Sequence, residues 1–202
     1  VTANDADVTN GNGIALYKSV PTFVANTTKT GCPTNSTKPT NGTNNIYCFD
    51  VTANSAGSVD LLKLTLQIAS SAGATMNTVY LYDYADQSVA LSGATISNST
   101  ATFSSLGGAD TTALIPDTIG AGGTVTYIIK GNVTIDSHAQ NVTISSRVLA
   151  DTSFAPNASA GSVNGNIIWS DRSASNHSTS TADWTNGYKI SGLPTDQVSM
   201  SL

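Results

Sequence analysis

The residues best suited to chemistry crowd into one loop: Ser175, His177, Ser178 and Asp183. A serine nucleophile, an imidazole base and an orienting carboxylate are the parts of an acyl-transfer triad. A triad, however, is defined by adjacency in space, not in sequence. Ser and Thr are abundant enough here that such neighbourhoods arise from composition alone. The expectation is that His177 and Asp183 hydrogen-bond the backbone of their own loop. The other histidine, His138, lies far off in sequence. No G-x-S-x-G, H-E-x-x-H or Gly-rich phosphate loop occurs. These observations predict a protein that is not an enzyme and carries no cofactor.

Metal chemistry is equally poorly supplied. With two histidines and two cysteines, a transition-metal site would have to draw on carboxylates. Asp5, Asp7, Asn10 and Asn12 invite a calcium loop, but their register is wrong. The closing glutamate of an EF-hand is also missing, since the chain has no Glu. Asp83 and Asp86 in YDYAD could hold calcium at a strand end, but they read better as a charged loop tip. Cys32 and Cys48 bracket a polar insert with no neighbouring ligand, so they read as a disulfide, not a zinc site. Closing a loop of that size stabilises by about 3 kcal/mol in the chain-entropy account. It also fits an extracellular protein. Acceptor sequons for covalent N-glycans occur at Asn26, Asn35, Asn41, Asn98, Asn132, Asn141, Asn157 and Asn176. Asn, Ser and Thr are so frequent that roughly five matches are expected by composition, so the motif alone is weak.

The stretch 164–194 holds both tryptophans, Trp169 and Trp184, together with Tyr188. Such rings either plug a core or present a stacking surface for sugars. Flanking Ile167, Ile168 and Ile190 favour the plug, and a glycan platform is the alternative. Local patterning predicts a strand, a long ordered loop, and a turn at Asn186–Gly187 leading into another strand.

Within this stretch the order WSD (169–171), HST (177–179), DWTNGY (183–188) and GLP (192–194) resembles a C-terminal signature. That signature belongs to secreted and S-layer-like surface proteins of Candidate Phyla Radiation bacteria, the Parcubacteria-type lineages. Looser resemblance runs upstream through 16–23, 61–68, 79–83 and 123–133. It implies a Ser/Thr/Ala-rich β-sandwich module on the cell surface, closed by the signature. It implies no defined activity.

Composition points to the same class. Only 10% of residues are charged, against roughly 25% in ordinary soluble domains. The helix formers Glu, Lys and Arg are replaced by Thr, Ser, Asn and Gly, which favour strands and turns. The net charge of −5 leaves no basic patch for a phosphate backbone, so nucleic acid is not an expected partner. No apolar run approaches the ~20 residues of a membrane span. No signal peptide is visible, and Val1 reads as the start of a mature chain.

The predicted fold is all-β: a single Ig-like or Greek-key sandwich over 14–202, preceded by an extended tail at 1–13. A disulfide-stapled loop spans 26–48. Strands are expected at 13–24, broken at Pro21, and at 46–52, 59–69, 78–84, 88–91, 94–104, 111–115, 123–133, 141–149 and 197–202. In the third of these, Leu62, Leu64, Leu66 and Ile68 are expected to share one face. The expected function is that of a structural subunit in an extracellular filament or surface coat. It would assemble with itself by strand complementation. The tail is the preferred donor, through Val1, Ala3 and Val8. The closing pattern Val198, Met200, Leu202 is a second candidate for a subunit interface. The alternative is a monomeric glycan-binding or adhesin module.

Overall fold

A computed structural model describes residues 15–107 and 114–202. The fold is all-β. The strands, in chain order, are β1 (Pro21–Ala25), β2 (Gly42–Ala53), β3 (Val59–Ser70), β4 (Ala74–Thr75), β5 (Thr78–Asp83), β6 (Ser92–Ser97) and β7 (Thr100–Ser104). They continue with β8 (Asp117–Ile119), β9 (Thr124–Ile135), β10 (Thr143–Val148), β11 (Ile167–Ser170), β12 (Trp184–Asn186) and β13 (Val198–Ser201). Among the described residues the one helical element is a single 3-10 turn, Ala160–Ser162.

Two antiparallel sheets face each other. The first runs β1-β2-β9-β5-β6. The second is built around β3, with β7 and β8 on one side and β10 and β11 on the other; β13 extends β10 and β12 extends β11. Strand β6 turns the corner, pairing β5 through Ser92–Thr95 and β7 through Ile96 and Ser97. The chain crosses between sheets after β2 and again after β9, so the central pairs β2–β9 and β3–β10 join distant parts of the sequence.

Alternation builds the space between the sheets. Tyr127 and Ile129 of β9 point inward with Phe49 and Val51 of β2, and meet Leu64, Leu66 and Phe103 from the other sheet. Burial of this apolar set is the main force closing the sandwich. Two bulges break the phase. In β3, Trp169 pairs with Leu61 while Ile168 pairs with Lys63, leaving Leu62 as the extra residue. Leu61 therefore faces the inter-sheet core, and Leu62 is turned to the opposite face. The expected grouping of Leu62 with Leu64 and Leu66 is corrected here, because a bulge shifts every side chain beyond it to the other side. A second bulge lies at Ile46 in β2.

Other expectations shift at their edges. The first strand, expected over 13–24 with a break at Pro21, starts at Pro21 and runs to Ala25. Pro has no N–H to donate, so it suits this edge position. The second strand begins at Gly42, four residues before the apolar run that marks it. Residues 88–91 form no strand. The tail at 1–13, with Val1, Ala3, Val8 and the Asp5–Asn12 cluster, lies outside the described residues, as does most of the strand expected at 111–115.

The C-terminal strand stays at home. β13 pairs antiparallel with β10, and Val198 and Met200 are buried in their own core. Their assignment to a subunit interface is corrected: they complete this chain's sheet. The far edge of β13 is covered too. Ser199 N–H donates to Asn35 Oδ1 (2.8 Å) and Ser201 N–H donates to the Thr37 carbonyl (3.2 Å). The loop that does this is pinned by the Cys32–Cys48 disulfide, with Cα atoms 5.6 Å apart. Leu202 is half exposed.

Candidate functional site

The loop 171–183 connects β11 to β12 and lies on the outer face of the second sheet. Its centre is His177, whose side chain is only 8% exposed. Nδ1 lies 2.8 Å from Asp183 Oδ2, and Nε2 lies 2.8 Å from Asp60 Oδ2. Each ring nitrogen therefore has a carboxylate oxygen as its hydrogen-bond partner. Asp60 comes from β3, far away in sequence. Its Oδ1 accepts from Thr118 Oγ1 (2.6 Å) and from the Arg172 guanidinium (2.8 Å). Asp183 also accepts from Thr181 Oγ1 (2.6 Å) and from Ala174 N–H (3.1 Å). Burial pushes the Asp183 carboxyl up, but these hydrogen bonds and the His177 charge outweigh it and hold it below the usual carboxylate range. Two buried carboxylates are thus met by a guanidinium, an imidazole ring and hydroxyl and backbone donors, the condition under which buried charge is tolerated.

This arrangement ties β3, β8 and the loop together. Both imidazole nitrogens are engaged by carboxylates from their own fold. The nearest hydroxyl to the ring is that of Thr181, 3.4 Å from Nδ1, and it is spent on Asp183 and on the Ser178 carbonyl. Ser178 Oγ bonds Ser180 Oγ instead (2.8 Å). The expectation that His177 and Asp183 bond their loop's backbone is therefore only part of the picture, because their main partners are each other and Asp60.

The rest of the signature does similar work. The Trp184 ring packs against His177 at 5.2 Å between centroids, and its Nε1–H donates to the Ser178 carbonyl (2.8 Å). Trp184 lies with Leu62, Ile168, Ala160 and Val163 in a small second core under the segment 155–163. Trp169 points the other way, into the inter-sheet core, with Tyr17 at 5.0 Å. Both indoles are fully buried. A glycan platform on Trp169 and Trp184 is therefore corrected to a pair of plugs, because no sugar reaches a ring without solvent access. Tyr188 is half-buried, with Lys189 Nζ 5.2 Å from its ring centre.

Asn186–Gly187 is a clasp and not a hairpin turn. Asn186 is buried; its Oδ1 accepts from Ala155 N–H and Tyr188 N–H, and its Nδ2 donates to the Ser153 and Asn164 carbonyls. A Cβ on Gly187 would sit 2.8 Å from Ile167 Cβ, so no other residue fits. Asp151, which sequence reading missed, accepts from the N–H groups of Asn166, Ile167 and Gly187 at 2.5, 3.2 and 2.8 Å. A lone Asp in a polar run gives no signal of this. Asp171 likewise accepts from Lys18 N–H (2.8 Å), anchoring the chain ahead of β1.

The remaining sites are placed as follows. Asn26 is buried, and its Nδ2 donates to Asp50 Oδ2 (2.9 Å). That nitrogen is the atom a glycan would need, so Asn26 is corrected from acceptor to structural residue. Asn35, Asn41, Asn98, Asn132, Asn141, Asn157 and Asn176 are exposed. Asp83 and Asp86 each accept the N–H two residues on, in local turns. Among the described residues no cluster of His, Cys and Asp has the geometry to hold a metal, and no helix is long and apolar enough to cross a membrane.

No family model and no curated protein matches the chain. Among solved structures, AvmM, which catalyzes macrocyclization in alchivemycin A biosynthesis, aligns over 93% of this chain and 89% of its own, with a TM-score of 0.31 and 11% identity. A likeness that slight bears on neither fold nor activity.

Proposed function

We propose that this chain is a structural subunit of an extracellular filament or S-layer-like coat, without enzymatic activity. The observation that carries this reading is the fate of its reactive groups. Asp60, His177, Asp183 and Arg172 neutralise one another inside a brace, and the aromatic signature is consumed in packing. Such a surface of Thr, Ser and Asn over a disulfide-pinned sandwich suits service outside the cell.

Assembly proceeds head to tail by donation of the N-terminal segment, residues 1–13. The strand at 198–201 is committed to its own sheet, which favours residues 1–13 over it as donor. The acceptor is a sheet edge of the next subunit. Main-chain hydrogen bonds at such an edge supply affinity, and a contact that does not close propagates.

Negative-stain imaging tests this. The full chain should form threads, and deletion of residues 1–13 should yield a monomer with an unchanged far-UV spectrum. Threads from the truncated chain, or a full chain that stays monomeric at every concentration, overturn the reading.

A further inference from the structure

The outer face of the first sheet carries a row of tyrosines, Tyr80, Tyr82 and Tyr84, at alternate positions along β5 and just past it. Two of the three are covered. Lys29 Nζ sits 4.8 Å from the centre of the Tyr84 ring, and Lys130 Nζ sits 4.8 Å from that of Tyr82. Lys130 is directly opposite Tyr80 in the ladder, so its contact with Tyr82 is diagonal. The same diagonal, moved two residues along, pairs Asn132 with Tyr80. There the covering side chain is short, and Tyr80 remains 45% exposed. One side of its ring is supported by β6, where Gly93 makes room: a Cβ there would lie 3.1 Å from the ring. The other side borders a groove of about 390 Å³ lined by Met76, Asn77, Thr78, Asn132 and Thr134.

Asn132-Val133-Thr134 is a sequon, and both Asn132 and Thr134 face solvent. Unlike Asn26, Asn132 makes no side-chain hydrogen bond to the described residues. We infer that Asn132 is an N-glycan attachment site whose first sugar lies in this groove against the Tyr80 ring. The chemistry is a condensation: Nδ2 of Asn132 displaces a lipid-linked diphosphate from C1 of the donor sugar, and the Asn nitrogen loses a proton. The stacking follows from geometry. Diagonal neighbours across an antiparallel pair lie roughly 7–8 Å apart, which is about the reach of a sugar ring linked through the amide. The apolar C–H face of a pyranose would then cover the exposed phenol ring, and Asn77, Thr78 and Thr134 would meet its hydroxyls. The ring would do for Tyr80 what Lys130 does for Tyr82. This inference does not depend on filament assembly.

The test uses the full chain secreted from a host that glycosylates Asn-x-Ser/Thr, with glycans trimmed enzymatically to one N-acetylglucosamine. Glycopeptide mapping should find Asn132 occupied and Asn26 empty. The single sugar at Asn132 should raise the melting temperature by about 2–4 °C relative to N132Q, and this gain should fall by more than half in Y80A but persist in Y80F. The N98Q variant, at a hairpin tip with no neighbouring ring, should leave the gain unchanged. An empty Asn132 overturns the inference, and so does an equal gain in Y80A. Protection of N132Q by free N-acetylglucosamine to the same extent would also overturn it, since the groove would then be a receptor for outside sugars.

Discussion

Trp169 and Trp184 face each other's strands across β11 and β12, both fully buried, yet they serve opposite sides of the same sheet. Trp169 enters a core of aliphatic and aromatic side chains. Trp184 covers an imidazole ring held by two carboxylates. The inner face is stabilised by exclusion of water, which is insensitive to charge. The outer face is held by a closed set of ion pairs and hydrogen bonds, which is not. A sheet with one apolar face and one wet face is ordinary. Here the wet face is sealed at one end by a second, smaller core, because the bulge at Leu62 supplies an apolar residue on the side where alternation would put none.

The largest effects should come from the inner face. Trp169→Ala should cost about 3–5 kcal/mol, the range for deleting a large buried ring, read as a lower denaturation midpoint. On the outer face His177→Ala should cost about 3 kcal/mol, because it takes the ring from between two buried carboxylates and leaves only Asp60 with a cationic partner, Arg172. The decisive variant is the triple replacement Asp60→Asn, His177→Gln, Asp183→Asn. If the outer face is a charge-balanced brace, replacing these three groups with neutral ones, and leaving the part-exposed Arg172 guanidinium to solvent, recovers most of the single variant's loss. A triple variant weaker than His177→Ala would show instead that shape matters there more than charge.

The two faces should also fail at opposite ends of the pH scale. Asp183 has its pKa lowered in the fold. Its contribution is therefore present above the ordinary carboxylate value of about 4 and is lost as pH falls through the lower folded value. Acid should thus loosen the outer brace, and Trp184 emission should change before Trp169 is exposed. In the core, burial pushes the Tyr47 phenol up to about 12, with its hydroxyl on Thr195 Oγ1 (2.6 Å) and near Asp196. A raised value means that this stability is complete below the ordinary phenol value of about 10, and declines as pH rises from there to about 12. Tyr127 is raised for the same reason, and it donates to Asp117. Tyr47→Phe should flatten the alkaline limb and leave the acid limb unchanged. A protein that lost both tryptophan environments together at either extreme would erase the distinction between the faces.

The inner face was legible in the sequence, and the outer face was not. Period-2 runs such as Tyr127, Ile129 and Val142, Ile144, Val148 fall on buried positions, with Val125 partly buried against the same core as Tyr127 and Ile129. The cysteine pair was legible from its isolation. What escaped was whatever needs two distant segments to meet. Asp60 lies at the start of an apolar strand and reads as its polar face, and only the return of the loop places His177 on it. Asp151 and Asn186 are polar residues among many, and the N–H groups they collect belong to other turns. The Asn186–Gly187 pair misled because a hairpin turn and a tight clasp both need a residue without a side chain. Leu62 misled because a bulge leaves no mark on composition.

The smallest effect gives the sharpest contrast, since one substitution should change sign between the faces. Ser146 of β10 points inward at 1% exposure, flanked in register by Ile68 and Val198, and its hydroxyl has no hydrogen-bond partner among the described residues. An orphaned buried hydroxyl costs about 1 kcal/mol or more. Ser146→Ala removes that cost and leaves only a small void, so it should raise the melting temperature by about 2–4 °C. Ser170 of β11 is fully buried on the other side, and its Oγ accepts from Arg172 N–H (3.0 Å). That bond helps hold Arg172 in a left-handed backbone conformation, φ 53°, which a side chain rarely adopts unsupported. Ser170→Ala should therefore lower the melting temperature by about as much as Ser146→Ala raises it. Two thermal scans decide the matter: shifts of the same sign would mean that hydroxyls on the inner and outer faces of this sheet are held by the same physics.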